Sequence, residues 1–477
     1  MIWAFLEKLS IQIIQFLVGV LLARILTPED FGVVSIIMAL LIIIQNIIEG
    51  GFSQALIQKK ERTNIDLSTV FYLNIFLGFV LYIALYFLAP AISIFYNLPS
   101  LTDFIRVLGL NIILYSFIIV DVTVCTFKNN FKIQAKFSLV ASLVSGSFAL
   151  FFAYLGFGTW ALIFQSLIFY FALTIQYWFF SGWRPQKTFS KNSIYELFNF
   201  GSKLLVTNLI HTLYTQLNAI LIGRFFSVKS LGYYSTAEKF GSLPLGNLIL
   251  AFQKVSFPKL AEAQNDSTEL KDITRNYVKK MSIIVFFVFL QLAAIAKPLI
   301  LFVIGDKWSN SIIFLQLISL GFLFDHIFAI NLNLIKAVGK SNLILKLELI
   351  KKGISVVILL VMMYYYGIIG LCLAKAIYAQ IGFYINAYYS GKFFNYGYYQ
   401  QWGDIYKYLL IAIFSVLPSY LFSEYSEDRH IYIIIYSSLI SGFIYILILQ
   451  VIKDKSFFAL KFHLLNQLNS VFKKNKL

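Results

Sequence analysis

Apolar stretches of roughly twenty residues recur along this chain, each closed by a short polar break. A stretch of that length crosses the hydrocarbon core of a bilayer as a helix. The pattern predicts spanning helices over residues 5–26, 31–57, 69–95, 104–127, 136–157, 159–180, 197–226, 231–257, 281–304, 311–336, 343–366, 367–389, 404–423 and 430–452. The eleventh of these begins among Lys346, Glu348, Lys351 and Lys352, and only Gly367 divides it from the twelfth. The first apolar stretch reads as the first span and not as a cleaved signal peptide.

Composition agrees with the pattern. Of 477 residues, 59% are hydrophobic and 13% charged, where a soluble domain carries about 25% charged residues. Cys125 and Cys372 fall inside apolar stretches and read as small core residues. His211, His326, His430 and His463 share no ligand spacing, so neither a metal nor a cofactor is expected. The net charge of +17 would favour nucleic acid in a soluble protein. Here the basic residues sort by loop instead. With the N-terminus inside, inward segments hold 24 of them, from Lys59, Lys60 and Arg62 to Lys473, Lys474 and Lys476. The outward loops hold 3: Lys229, Lys307 and Arg429. That asymmetry predicts both termini in the cytoplasm.

The chain also repeats itself. Arg24, Gly32 and Ser35 match Arg224, Gly232 and Ser235 at an offset of 200 residues. Lys128, Asn130 and Gly158 match Lys340, Asn342 and Gly370 at an offset of 212. Six spans lie between the copies. An even number keeps their orientation, so an axis along the membrane normal would relate them. The expected fold is an all-α polytopic membrane protein with about fourteen transmembrane helices. It divides into a six-helix lobe over 1–190, a second over 191–395, and two further helices with a basic tail over 396–477.

Polar residues inside the spans mark candidate chemistry. A charge at the centre of a bilayer costs about 2.5–3.5 kcal/mol on insertion scales, so it faces a cavity or a partner. In the seventh span Lys203, Thr207, His211, Tyr214 and Asn218 fall on one helical face. The eighth carries Tyr234, Glu238 and Ser242, with Lys239 and Lys254; the second carries Asn46, Glu49 and Ser53; the first carries Gln12, Gln15 and Gly19. Glu49, Lys203, His211, Tyr214, Asn218, Glu238 and Lys239 are the leading cavity candidates. Arg24 and Arg224 sit near the outer interface, where snorkelling explains them. Asp121, Asp325, His326 and Lys375 form a second tier, for which structural pairing is an equal reading.

The ordered set of motifs resembles a known family. Leu22-Ala-Arg-Ile-Leu-Thr-Pro-Glu-Asp-Phe-Gly32, Gly51-Phe-Ser-Gln-Ala-Leu-Ile-Gln58, Gly156-Phe-Gly-Thr-Trp-Ala-Leu162 and Gly182-Trp-Arg-Pro185 come first. Asn218-Ala-Ile-Leu-Ile-Gly-Arg224, Leu231-Gly-Tyr-Tyr-Ser235, Phe257-Pro-Lys259 and Gly305-Asp-Lys-Trp308 follow. They resemble bacterial polysaccharide flippases of the multidrug/oligosaccharidyl-lipid/polysaccharide exporter superfamily, in its lipopolysaccharide and colanic-acid exporter branch. The resemblance implies two six-helix lobes around a central cavity bordered by spans 1, 2, 7 and 8. The polar faces fall on those same four spans.

A flippase for undecaprenyl-diphosphate-linked oligosaccharide units is therefore the leading expectation. Lysine offers a compact charge for phosphate. The expected setting is the bacterial cytoplasmic membrane, with the lipid-linked oligosaccharide and membrane lipids as partners and polysaccharide polymerase machinery as a candidate one. The chain is expected to act as a monomer. A multidrug or cation antiporter of the same superfamily is the alternative, and it would more naturally show an acidic cavity. An enzyme is disfavoured, because no outward loop exceeds about eight residues. No phosphate-binding Gly-rich loop with GK[ST] occurs either.

Overall fold

A computed structural model describes residues 2–264, 266–339, 341–425 and 430–462. Lys340, Arg429, His463 and the tail with Lys473, Lys474 and Lys476 lie outside them, as does the side chain of Lys254. The described residues form helices and connecting turns, with no strand among them. This is an all-α polytopic membrane protein. Ten of the described helices are long and apolar enough to cross a membrane.

The chain forms two compact units, residues 1–235 and 236–477. The first contains α1 (Ile2–Ile25), α2 (Pro28–Glu49), α3 (Phe52–Gln58), α4 (Asn64–Tyr96), α5 (Leu101–Leu108), α6 (Leu110–Phe127), α7 (Phe131–Tyr154), α8 (Thr159–Phe180) and α9 (Lys191–Phe225). It also takes in the first turns of α10 (Val228–Glu262). The second unit contains the rest of α10, then α11 (Ser267–Ala294), α12 (Ala296–Val303), α13 (Ser311–Gly321), α14 (Asp325–Ala337), α15 (Ser341–Phe394), α16 (Tyr398–Tyr425) and α17 (His430–Val451).

Local signals set many of these ends. Thr27 and Thr63 each form a capping box, with Asp30 and Asp66 respectively, and Pro28 opens α2. Both arrangements satisfy the free N–H groups of a first turn. A reversal lies inside α15, where Gly367 is non-helical at φ 60°. Gly370 then backs onto the Met362 carbonyl, eight residues earlier. A straight helix would separate those residues by about 12 Å, so α15 is two legs joined at Gly367.

Four spans differ from those the hydropathy pattern predicts; one is the fourth, divided at Gly109 between α5 and α6. The second is interrupted at Gly50–Gly51, which separates α2 from α3. The tenth is interrupted at residues 322–324, between α13 and α14. The ninth starts at Ser267, not near 281, and breaks at Ile295. Its early turns carry Lys271, Arg275, Lys279 and Lys280, whose charge masked the helix from a hydropathy reading. The helices α9 and α10, 35 residues each, do not belong to the ten apolar spans. They carry the polar faces.

Candidate functional site

In the first unit the polar stripe of α9 is open at one end and closed at the other. Lys203, Thr207 and His211 are exposed, while Tyr214 and Asn218 are half-buried. Lys203 makes no side-chain ion pair among the described residues. The Thr207 hydroxyl donates to the Lys203 carbonyl at 2.9 Å. Asn218 Nδ2 donates to the Tyr234 hydroxyl at 2.9 Å, and Tyr234 is only 2% exposed. Tyr234 therefore seals the stripe instead of lining open space.

Glu49 ends α2, and the chain then passes through Gly50 and Gly51 at φ 51° and 72°. Only glycine takes such angles without strain. A Cβ on Gly51 would overlap the backbone of Gly201 on α9. The two glycines thus let the backbones of two spans touch. Glu49 lies two residues before this crossing and Lys203 two residues after it. The Tyr115 hydroxyl donates to the Glu49 carboxylate. Gln45, one turn earlier, donates to the Tyr170 hydroxyl at 3.3 Å. Those two tyrosine rings meet edge-on with centroids 6.0 Å apart. A carboxylate at a helix C-terminus opposes the helix dipole, so Glu49 relies on the phenol donor.

The sequence repeat becomes a physical contact. A Cβ on Gly32 would overlap the Val228 carbonyl, and one on Gly232 would overlap the Pro28 carbonyl. The Ser35 hydroxyl donates to the Ser235 hydroxyl at 2.9 Å. Arg24 is exposed, and the Arg224 guanidinium lies 4.7 Å from the Phe95 ring centroid. Asp121 is 3% exposed and accepts a hydrogen bond from Ser181. It fastens the segment after α8, where Ser181 also accepts from the Trp183 N–H at 3.3 Å. Outside the spans, Lys59 bridges Asp66 at 3.1 Å and Glu196 at 2.9 Å. Burial works against its charge, yet the hydrogen bonds to Glu196 and Asp66 hold its ammonium above the usual lysine range.

In the second unit Glu238 is half-buried and Lys239 exposed. Being consecutive on α10, they point about 100° apart. Asp325, half-buried, opens α14, and His326 beside it is 1% exposed. The stem of Lys375 packs on Gly321, whose missing Cβ would lie 3.2 Å from Cγ. Its ammonium sits 3.5 Å from the Phe322 ring centroid, a cation–π contact. The charge of Lys375 reaches Asp325, and those of Lys375 and Glu238 both reach Cys372. The structure thus places Asp325 and Lys375 at the interruption of the tenth span.

Among the ion-paired groups that sequence reasoning missed are the buried Lys351 and Asp404. Lys351 is fully buried, bonded to Glu348 at 2.6 Å and Asn386 at 3.1 Å, with the Phe328 ring centroid 3.9 Å away. The spacing of Glu348 and Lys351 was the available signal. Asp404 accepts from Arg275 at 2.7 and 2.8 Å, from Lys279 at 2.9 Å and from Tyr396 at 3.0 Å. No local pattern announces that long-range contact.

Residues 21–313 match the model of a family described as polysaccharide biosynthesis protein. The chain belongs to that family. Among curated relatives, the teichuronic acid biosynthesis protein TuaB of Bacillus subtilis is 25% identical over 72% of this chain and 71% of its own. The succinoglycan biosynthesis transport protein ExoT of Rhizobium meliloti is 23% identical over 64% and 62%. The lipopolysaccharide biosynthesis protein WzxC of Escherichia coli is 24% identical over 62% and 61%. This family member therefore spans between about three fifths and seven tenths of the length of these relatives. Among solved structures, the lipid II flippase MurJ in an inward closed conformation superposes with a TM-score of 0.79. That match covers 95% of this chain and 99% of MurJ at 17% identity. An inward-facing multidrug resistance transporter of the MATE family gives 0.62 over 82% and 98%, at 15% identity. The fold of this family member is thus that of MurJ and the MATE transporters.

Proposed function

We propose that this protein is a flippase that carries polyprenyl-diphosphate-linked oligosaccharide repeat units from the cytoplasmic to the outer leaflet of the bacterial cytoplasmic membrane, by alternating access, for surface polysaccharide synthesis. The observation that carries this reading is Lys203, an exposed ammonium without an ion pair among the described residues, on a helix of a membrane bundle. Such a charge is retained against an insertion cost of about 2.5–3.5 kcal/mol, and a diphosphate is the ligand class it suits. Thr207 and His211 extend the same open stripe. The family and the named roles of ExoT and WzxC support the reading. In this reading the chain makes fourteen spans as two six-helix lobes plus two helices, with both termini cytoplasmic. It acts as a monomeric transporter, not an enzyme, feeding polysaccharide polymerase machinery. A cation antiporter is the second reading, favoured by Glu49, an intramembrane carboxylate with a phenol but no ion pair among the described residues.

Deleting the gene tests the choice. Loss of surface polysaccharide with lipid-linked repeat units accumulating inside supports the flippase. Normal polysaccharide with raised drug sensitivity transfers the assignment to the antiporter. Lys203→Ala should abolish export at normal protein level, and Lys203→Arg should restore part of it.

A further inference from the structure

The last span does not run on into the residues that follow it. α17 has 22 residues, about 33 Å of helix, enough to cross a hydrocarbon core of about 30 Å. Two backbone bonds close its end: Lys453 N–H to the Gln450 carbonyl at 3.0 Å, and Asp454 N–H to the Leu449 carbonyl at 3.2 Å. Lys453 takes φ 52° to make this closure. Glycine usually makes it at a helix C-terminus; here a lysine does.

A second helix starts at once, over residues 455–462. Asp454 caps it. Its carboxylate accepts from the Phe457 N–H at 2.9 Å, and its carbonyl from the Phe458 N–H at 3.1 Å. The same carboxylate accepts from Lys407 and from the Tyr408 hydroxyl on α16. Asp454 thus fixes the point where the short helix leaves the bundle.

This helix has two sides. Ser456, Phe457 and Leu460 are half-buried. Lys455, Phe458, Ala459 and Phe462 are exposed, at spacings from Lys455 of three, four and seven that put them on one face. Phe458 is 43% exposed and Phe462 67%. Phenylalanines on a span face hydrocarbon, but these two lie past the end of one.

Charge decides what covers them. Lys453, Lys455 and Lys461 are exposed and make no ion pair among the described residues. The one acidic group of the segment, Asp454, is 5% exposed, and its oxygens are taken by Lys407, Tyr408 and the cap. The remaining sequence, 463–477, adds Lys473, Lys474 and Lys476 and no acidic residue. An exposed aromatic pair framed only by lysines matches an anionic leaflet, with rings below the phosphates and ammoniums beside them.

We propose that residues 453–462 dock on the anionic phospholipid headgroups of the leaflet where α17 ends, with Phe458 and Phe462 inserted and Lys453, Lys455 and Lys461 at the phosphates. Each lysine near such a surface favours the docked form about fivefold. The docked helix holds the end of α17 and, through Asp454, α16 at a set depth. This goes beyond the transport reading and does not depend on what is carried.

The test uses the purified full chain with a polarity-sensitive fluorophore on Ala459→Cys, in nanodiscs of phosphatidylcholine with or without phosphatidylglycerol. Cys125 and Cys372 are buried, and the parent chain measures any label they take. Phosphatidylglycerol should shift the emission to the blue and bring the label within reach of quenchers on the acyl chains. Phe458→Ser with Phe462→Ser should abolish both effects. Lys453→Gln, Lys455→Gln and Lys461→Gln together should weaken docking on the order of a hundredfold, and added salt should act in the same direction. An unchanged unfolding midpoint shows that the bundle stays intact in these surface variants. A label equally wet in both lipids and beyond the quenchers overturns the lipid site and leaves the face to a protein partner. A label equally dry in both lipids and unmoved by the lysine changes overturns the anionic preference. Neither result bears on the gene-deletion test.

Discussion

In the first unit α2 gives way to α3 across Gly50 and Gly51. In the second α13 gives way to α14 across residues 322–324, Phe-Leu-Phe, with glycine only at position 321. The first interruption uses left-handed backbone angles and brings two backbones into touch. The second keeps right-handed geometry and tightens: Leu323 N–H bonds the Leu320 carbonyl at 3.3 Å, and Ile327 N–H the Phe324 carbonyl at 3.1 Å. These three-residue closures re-satisfy backbone groups that lipid cannot. Here aromatic side chains hold the shape. Phe324 stacks on Phe383 at 6.2 Å and meets Phe286 and Trp402 at 5.6 Å each. An interruption can therefore be built by removing side chains or by packing large ones. Each delivers an acidic residue, Glu49 or Asp325, to the broken point.

The comparison predicts where each interruption fails. Phe324→Ala should cost the most, about 3–5 kcal/mol for a buried aromatic, seen as a large drop in thermal unfolding temperature in detergent. An unchanged midpoint would show that the second interruption does not depend on its aromatic packing. Gly51→Ala comes next. The left-handed angle costs about 1–2 kcal/mol and the overlap with Gly201 about 1–3 kcal/mol more. A wild-type midpoint would mean that the helices do not cross at Gly51. Glu49→Gln keeps an acceptor for Tyr115 and should stay within about 1 kcal/mol of wild type, while a change in export would place Glu49 in transport.

The smallest effect lies away from both interruptions. Asp454 follows α17, is 5% exposed, and bonds Lys407, the Tyr408 hydroxyl at 3.1 Å and the Phe457 N–H at 2.9 Å. Burial pushes its carboxyl up, but these partners outweigh burial and hold it below the usual carboxylate range. A lowered folded value means its contribution is complete above the unfolded value of about 3.9 and fades as pH falls through the folded one. Acid unfolding should therefore flatten at that end in Asp454→Asn. An identical acid profile would remove Asp454 from the balance.

Much of this was legible in the chain. The polar face of α9 follows from the spacing of Lys203, Thr207 and His211, and the Gly32/Gly232 match follows from the repeat. The interruptions were not legible, for different reasons. Gly50–Gly51 was a visible signal, but the apolar run continues through Leu56 and reads as one span. Residues 318–328 are apolar apart from Ser319, Asp325 and His326, so nothing local marks a turn that distant aromatic rings impose. Asp404 and its cations are 125 and 129 residues apart, beyond any helical period.

The paired contact of Gly32 with Val228 and of Gly232 with Pro28 has the form of an isologous dimer interface, drawn between two segments of one chain. Each motif is the other's binding partner. A side chain gained at either glycine collides with the main chain of the other segment. The two positions are bound to a shared fate, and drift in either is judged by its twin.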